Sequence, residues 1–499
     1  MKNLNIQSLT SSVNLVKNTF WSLGAKIGPL LVGVFAIPII IENIGTARFG
    51  ILTLIMMIVG YFGLFDLGFG RAQTKLIADC LGREDYEELP GTFWVSQLFI
   101  FCFGVLGGVI LFFITPVLVT QILNISSEFI QESIHAFRIL AFTIPFITLS
   151  VGFQGSLRAS QRFDLITKVR VPLGSWNFLG PLLILPVSHK LSVLVLLMCM
   201  GRVVGCCVFF IQCCMVLPIK RKIKWELVRV RDLVNFSAWM TVSNIIGPLM
   251  EYFDRFMIGA LLNMEAVAFY TTPYEILKRL RLLPASLREV LFPALGSNLV
   301  VDRERGVRLI KRCLAYVLIM VFPISFLCVA FAQVGMAFWI NPEFAQKSAP
   351  VMQILAVGIL INSLASILFV SLQADGRPDM TAKFHLIELP VYLVLLWILL
   401  NQIGIIGVAI AWLIRVALDT QLLYSFSVKL IPELSGLANM FFYWALPIGV
   451  SLLLAAISMP IMLKLAYTLV IMSIFATISW IFILHHQDKS MILKTLRIK

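Results

Sequence analysis

The chain has 499 residues, 59% of them apolar and only 13% charged, with a mean hydropathy of +0.93. A soluble domain carries about a quarter charged residues, and apolar runs of about 20 residues, each long enough to cross a bilayer, recur from end to end, so the composition excludes a soluble enzyme. The formal charge of +14 does not point to nucleic acid, because basic residues of a membrane protein gather in its cytoplasmic loops.

Residues 1–16 are polar and carry no small-residue cleavage site before the first apolar run, so no signal peptide is expected. Fourteen apolar segments follow, near 18–41, 49–70, 92–115, 134–155, 169–187, 191–217, 233–262, 266–300, 312–333, 348–372, 384–401, 404–427, 438–459 and 462–486. With the N-terminus inside, most Lys and Arg fall in cytoplasmic loops and tails, "KRKIKWELVRVR" at 220–231 above all. The outer loops then hold Arg48, Arg138, Lys190, Lys347 and Lys464. This asymmetry predicts both termini in the cytoplasm.

Two loops are nearly the same. "SLRASQRFDLITK" at 156–168 and "SLQADGRPDMTAK" at 371–383 share Ser, Leu, Ala, Arg, Asp and Lys at six matched places, 215 residues apart. They follow segments four and ten, six crossings apart, which keeps the orientation and implies parallel repeats. "IGPL" at 27–30 and 246–249, and Arg202-Val203 against Arg415-Val416, echo the same offset. The predicted fold is an all-α integral membrane protein of about fourteen helices. Two parallel six-helix lobes surround a central cavity, and two helices are appended. The parts are 1–218 (first lobe), 219–232 (basic linker), 233–430 (second lobe) and 431–499 (last two helices and tail). In the twin loops Asp164 and Asp379 are placed to N-cap the next helix. Arg162 and Arg377 can pair with acids or lipid headgroups, and both pairs can serve a cytoplasmic gate.

Features that the fold needs should occur in both halves; features of one half are candidates for work. Overlaying the IGPL tetrapeptides sets Glu251, Asp254 and Arg255 of segment seven against Val32, Phe35 and Ala36 of segment one. A charge at a helix centre costs about 2.5–3.5 kcal/mol on insertion scales. The stripe Thr241, Asn244, Pro248, Glu251, Arg255 and Gly259 is therefore expected to face a wet cavity, with an i, i+4 ion pair between Glu251 and Arg255 as the structural alternative. In segment eight Glu275, Lys278, Arg281 and Arg288 share one face, with Lys278 about 18 Å below the outer surface at 1.5 Å per residue. Lys26 adds a cation in segment one. Arg202 and Arg415 recur in both halves, and with Asp419 one turn from Arg415 they read as structural. Cations outnumber acids here, which suits an anionic, hydroxyl-rich ligand.

Nothing points to metal or covalent chemistry. Five of the nine cysteines lie between Cys199 and Cys214 with no His or carboxylate among them, and His135, His189, His385, His485 and His486 form no ligand set or triad. The longest outer loop, about 116–133, holds Glu128 and Glu132 as its only charged residues. That is little for a membrane-bound polymerase, ligase or glycosyltransferase, so no enzyme and no metal site are expected.

"FGILTLIMMIVGYFGLFDLGFGRA" at 49–72, "LRASQRFDL" at 157–165 and "DRFMIGALLNMEAVAFY" at 254–270 resemble bacterial O-antigen or polysaccharide repeat-unit flippases of the Wzx type. These belong to a superfamily shared with multidrug and lipid II exporters, and the likeness covers about residues 15–430. The resemblance implies a substrate, an oligosaccharide on undecaprenyl diphosphate, moved from the cytoplasmic to the periplasmic face of the inner membrane. It also implies alternating access, proton or sodium coupling with Glu251, Asp254 and Glu275 as carriers, and a polymerase and chain-length regulator as partners alongside membrane lipids. It maps the family's motifs onto Asp254-Arg255 and onto the Asp66–Arg71 turn. A multidrug exporter and a lipid II flippase of the same fold stay open as alternatives, although an exporter of organic cations should show an acidic cavity where this chain carries Lys26.

Overall fold

The computed structural model describes residues 12–62, 69–83, 85–219, 250, 252–288, 291, 295, 303–374 and 378–483. The described residues are helical with no strand. The helices are α1 (Ser12–Phe62), α2 (Phe69–Gly82), α3 (Leu89–Val117), α4 (Ile130–Ala159), α5 (Phe163–Ile184), α6 (Leu191–Val216), α7 (Met264–Leu277), α8 (Arg303–Ala330), α9 (Ala332–Trp339), α10 (Pro342–Ala374), α11 (Pro378–Leu430), α12 (Gly436–Ala456) and α13 (Ile461–Ile478). Residues 252–261 are helical as well.

Two of these helices are really pairs. The apolar part of α11, Lys383–Leu430, has 48 residues, about 72 Å at 1.5 Å per residue, more than twice a hydrocarbon core of about 30 Å. It breaks at Ile403 and Gly404, and α1 breaks at Gly45. Gly45 (φ 80, ψ 161) and Gly404 (φ 62, ψ −143) occupy backbone regions that are closed to residues with a Cβ. The breaks fall in the gaps expected between segments one and two and between eleven and twelve. Eight described stretches are long and apolar enough to cross a membrane, these two among them.

Two helices fall in stretches between the expected spans. In α2 the buried Gln73, Ile77 and Cys80 recur at 4 and 3 residues, so one face is packed while Lys75 and Asp79 stay exposed. The polar residues hide that face from any hydropathy window. The other is the short α9, which packs on α10.

Contacts divide the chain into two compact units, Met1–Ala268 and Phe269–Lys499. In the first, α3 packs on α4, α4 on α6, and α1 on α5. Lipid is as apolar as Leu, so helices attract one another in it by close approach and buried polar contacts. A Cβ on Gly108 would lie 2.6 Å from the Ala141 carbonyl, and one on Gly155 would lie 2.7 Å from that of Gly70. Gln73 Nε2 donates to Ser156 Oγ at 2.9 Å inside the same bundle. Glu132 of α4 ties three helices: it accepts from Arg48 Nε of α1 at 3.1 Å and from the Leu191 backbone N–H of α6. Leu98, Leu106 and Phe113 of α3 point outward as a lipid-facing stripe. In the second unit α10 packs on α8, α9 and α11, and Gln353 Nε2 of α10 donates to the carbonyls of Val329 and Ala456.

The first twin loop is a Schellman motif. Gln161 N–H donates to the Arg158 carbonyl at 2.8 Å, Arg162 N–H donates to the Leu157 carbonyl at 2.9 Å, and Gln161 is left-handed at φ 54. The matching residue of the second loop is Gly376, outside the described residues. An L-residue in the left-handed region loses roughly 1–2 kcal/mol per residue. Gln161→Gly should therefore raise the melting midpoint of the detergent-purified protein, and Gln161→Val should lower it.

Candidate functional site

Helical residues 252–261 carry the charges that set segment seven apart. Asp254 and Arg255 are each 1% exposed. Asp254 Oδ1 accepts the Arg255 backbone N–H at 2.7 Å, and the Arg255 guanidinium lies 5.4 Å above the Tyr252 ring. Tyr252 in turn meets the edge of Tyr61, with ring centroids 6.4 Å apart. Gly259 is buried against Leu54, Leu123 and Met264. The described end of the polar stripe is thus enclosed by protein; Thr241, Asn244, Pro248 and Glu251 lie outside the described residues.

The charges of segment eight belong to the second unit. Lys278 Nζ is 3.7 Å from Glu275 Oε1 and 5.9 Å from the centre of the Tyr274 ring. Tyr274 stacks on Tyr270, with centroids 6.2 Å apart, and its ring meets the edge of Trp412 at the same separation. Lys278–Arg281 is a 3₁₀ turn, whose three-residue period eclipses i and i+3. Lys278 and Arg281 therefore line up more closely than an α-helix would place them. Arg288, one of the same expected set, is half-buried.

Of the expected gate residues, Arg162 and Asp164 are described, and the cap assignment needs correction. Arg162 occupies the N-cap position of α5 and Asp164 sits in its first turn. Arg162 Nε and Nη2 donate to the two Asp164 oxygens at 2.9 and 3.0 Å. Both carboxylate oxygens are thus taken up by one guanidinium in a bidentate fork. Asp66 and Arg377 lie outside the described residues, as do the side chains of Lys26, Arg71 and Asp379.

A further charged group was only half legible. Arg415 Nε lies 3.9 Å from Glu388 Oε2, His385 Nδ1 lies 3.6 Å from the same oxygen, and the ligating atoms of His385, Glu388 and Asp419 are all within 4.8 Å of one another. Arg415 with Asp419 had read as a structural pair; Glu388 and His385 complete the group from the other half of α11. The available signal was an acid inside an apolar run, "HLIELPVYLV" at 385–394. The halves of the chain agree on the arginine itself. Arg202 Nη2 donates to Asn177 Oδ1 at 2.9 Å, and the Arg415 guanidinium lies 5.6 Å above the Tyr392 ring. Tyr392 is Asn177 plus 215, the offset of the twin loops.

The family model described as "Polysaccharide biosynthesis protein" matches residues 15–299. The chain belongs to that polysaccharide biosynthesis family. A Shigella flexneri protein named as an O-antigen transporter is 28% identical over 417 residues, covering 82% of this chain and 97% of the relative. A lipopolysaccharide biosynthesis protein of Escherichia coli K12 is 26% identical over 41% of this chain and 42% of its own length. Among solved structures, an inward-facing multidrug transporter of the MATE family aligns with a TM-score of 0.71 at 13% identity over 83% of this chain and 99% of its own. The lipid II flippase MurJ in an inward closed conformation aligns at 0.69 and 16% identity, over 92% and 98%. These likenesses show the fold, an all-α arrangement shared with exporters and a flippase, as expected for the family.

The Arg162 fork gives a test of the loop. Its hydrogen bonds hold the Asp164 carboxyl below the ordinary carboxylate range, against the opposing effect of burial. A lowered value contributes stability that is present above the ordinary range and is lost as pH falls through the lowered one. The side chains are 40% and 31% exposed, so screening limits the pair to at most about 1 kcal/mol. Asp164→Asn should lower the melting midpoint slightly at neutral pH, and the difference from wild type should shrink as pH falls through and below the ordinary carboxylate range.

Proposed function

We propose that this protein flips an undecaprenyl-diphosphate-linked oligosaccharide from the cytoplasmic to the periplasmic face of a bacterial inner membrane by alternating access. The observation that carries the reading is the similarity to an O-antigen transporter along nearly the whole of that relative, within a family of polysaccharide biosynthesis proteins. The chemistry of the chain is consistent with it. Arg255, Lys278, Arg281 and Arg288 supply the cations that a diphosphate needs, and the buried Tyr270, Tyr274 and Trp412 rings back Lys278. Lys26 and Asn244 belong to the same proposed binding set. The polyprenyl tail stays in lipid, both termini lie in the cytoplasm, and Asp66, Arg71, Arg162, Asp164, Arg377 and Asp379 close the cytoplasmic side. A polymerase and a chain-length regulator receive the product. Proton or sodium movement drives the cycle, with Glu251, Asp254 and Glu275 among its carriers.

The fold likeness to a multidrug transporter gives the second reading, and charge separates the two. Arg255→Ala and Lys278→Ala should each abolish surface polysaccharide in cells that hold normal amounts of inserted protein. Arg281→Glu sets a like charge against a diphosphate, which costs several kcal/mol at low dielectric. It should trap labelled lipid-linked sugar in the cytoplasmic leaflet and leave cationic dye efflux unchanged. Normal flipping by Arg281→Glu together with altered dye efflux would transfer the assignment to a multidrug exporter.

A further inference from the structure

The internal repeat provides a reference for the charged group in α11. The contact of Arg202 with Asn177 is matched, at offsets of 213 and 215 residues, by that of Arg415 with Tyr392. That contact is common property of both halves. The acids are not: Glu388 and Asp419 answer to Leu173 and Cys206, and His385 answers to Arg170. The second half has thus replaced two apolar or weakly polar positions by carboxylates around an arginine that the first half keeps without them.

Glu388 is 5% and Asp419 6% exposed, both within an apolar span. Neither Glu388 oxygen accepts a hydrogen bond, nor does Asp419 Oδ1, and Arg415 Nε donates none. Carboxylate oxygens of Asp419 and Glu388 lie within 4.8 Å of one another. Two carboxylates against one guanidinium leave one negative charge uncompensated, and like charges this close cannot both be held in low dielectric. One added proton removes the excess and joins the two acids. A metal ion fits less well, because the Arg415 guanidinium at 3.9 Å repels it and offers no ligand atom. Between 348 and 373 α10 has no titratable group and lays Phe369 on His385, with ring centroids 6.1 Å apart. Through Tyr274, α7 meets Trp412, and the charges beside that ring are Glu275 and Lys278, 3.7 Å from each other. Within α11, Tyr392 lies under Arg415 and Lys383 is exposed. The side chain of His385 is 32% exposed and so links the buried acids to the surface.

We propose that His385, Glu388 and Asp419 form a proton-binding site, with His385 as its entry and Arg415 limiting its capacity to one proton. In the loading step the N–H bond at His385 Nδ1 breaks, an O–H bond forms at Glu388 Oε2, and the imidazole is left neutral; unloading is the reverse. Use of this proton to drive transport rests on the flippase reading above.

The test is infrared difference spectroscopy on purified full-length protein without substrate, comparing low with high pH in H2O and D2O. Wild type should show a carbonyl stretch of a buried protonated carboxylic acid that shifts in D2O. Asp419→Asn and Glu388→Gln should each lose it, and His385→Gln should keep it but slow its exchange with deuterium. Absence of the band in wild type overturns the proposal without any variant having to fold, as does its persistence in both acid variants. A stoichiometric metal ion in wild type that Asp419→Asn loses also overturns it, in favour of a metal site. No substrate is present, so these outcomes bear on the proton site alone. Failure of the flippase reading shows separately, as normal export by Arg255→Ala and Lys278→Ala.

Discussion

A chain immersed in hydrocarbon has to satisfy every backbone N–H and C=O within itself, and for this sequence only the helix does so. That constraint fixes the all-α fold and reduces the loops to short connections. It also moves the basis of tertiary specificity. Water no longer drives apolar faces together, so the helices are held where backbones come very close or where buried polar groups find partners. Gly108 against the Ala141 carbonyl and Gly155 against that of Gly70 are contacts of the first kind. Gln73 with Ser156, and Glu132 with Arg48 and the Leu191 N–H, are of the second.

The same constraint gives every charge in a span a meaning. A lone ion there is expensive, so each has either a structural partner or a task. The duplicated architecture helps to tell the two apart. Arg202 and Arg415 each contact the corresponding position of the preceding helix, as expected of groups that both halves need. Arg255 with Asp254, Lys278 with Glu275, and the Glu388–Asp419 pair have no such twins. They occur where the two halves have diverged, and an exporter whose halves do different work has reason to diverge there.

The family's fold serves exporters of dissimilar cargo, so the helices alone do not name the substrate. Charge carries that information. In general a cation-rich set of residues disfavours an organic cation, because like charges repel most where water is scarce.

Much was legible in the sequence because bilayer thickness imposes a length and the helix imposes a period. The apolar runs marked the spans, the twin loops marked the duplication, and Arg255, Lys278 and Glu275 stood out as charges in apolar stretches. Other features required the third dimension. The amphipathic α2 was masked by its polar face. The cap position of α5 went to Arg162, because the turn sets its guanidinium against both oxygens of Asp164 two residues on. Glu388 and His385 met Arg415 and Asp419 only because the chain reverses at Gly404. Hydropathy and period describe one helix at a time. Which charge lies against which is decided by how the chain turns back, and that is a property of tertiary structure.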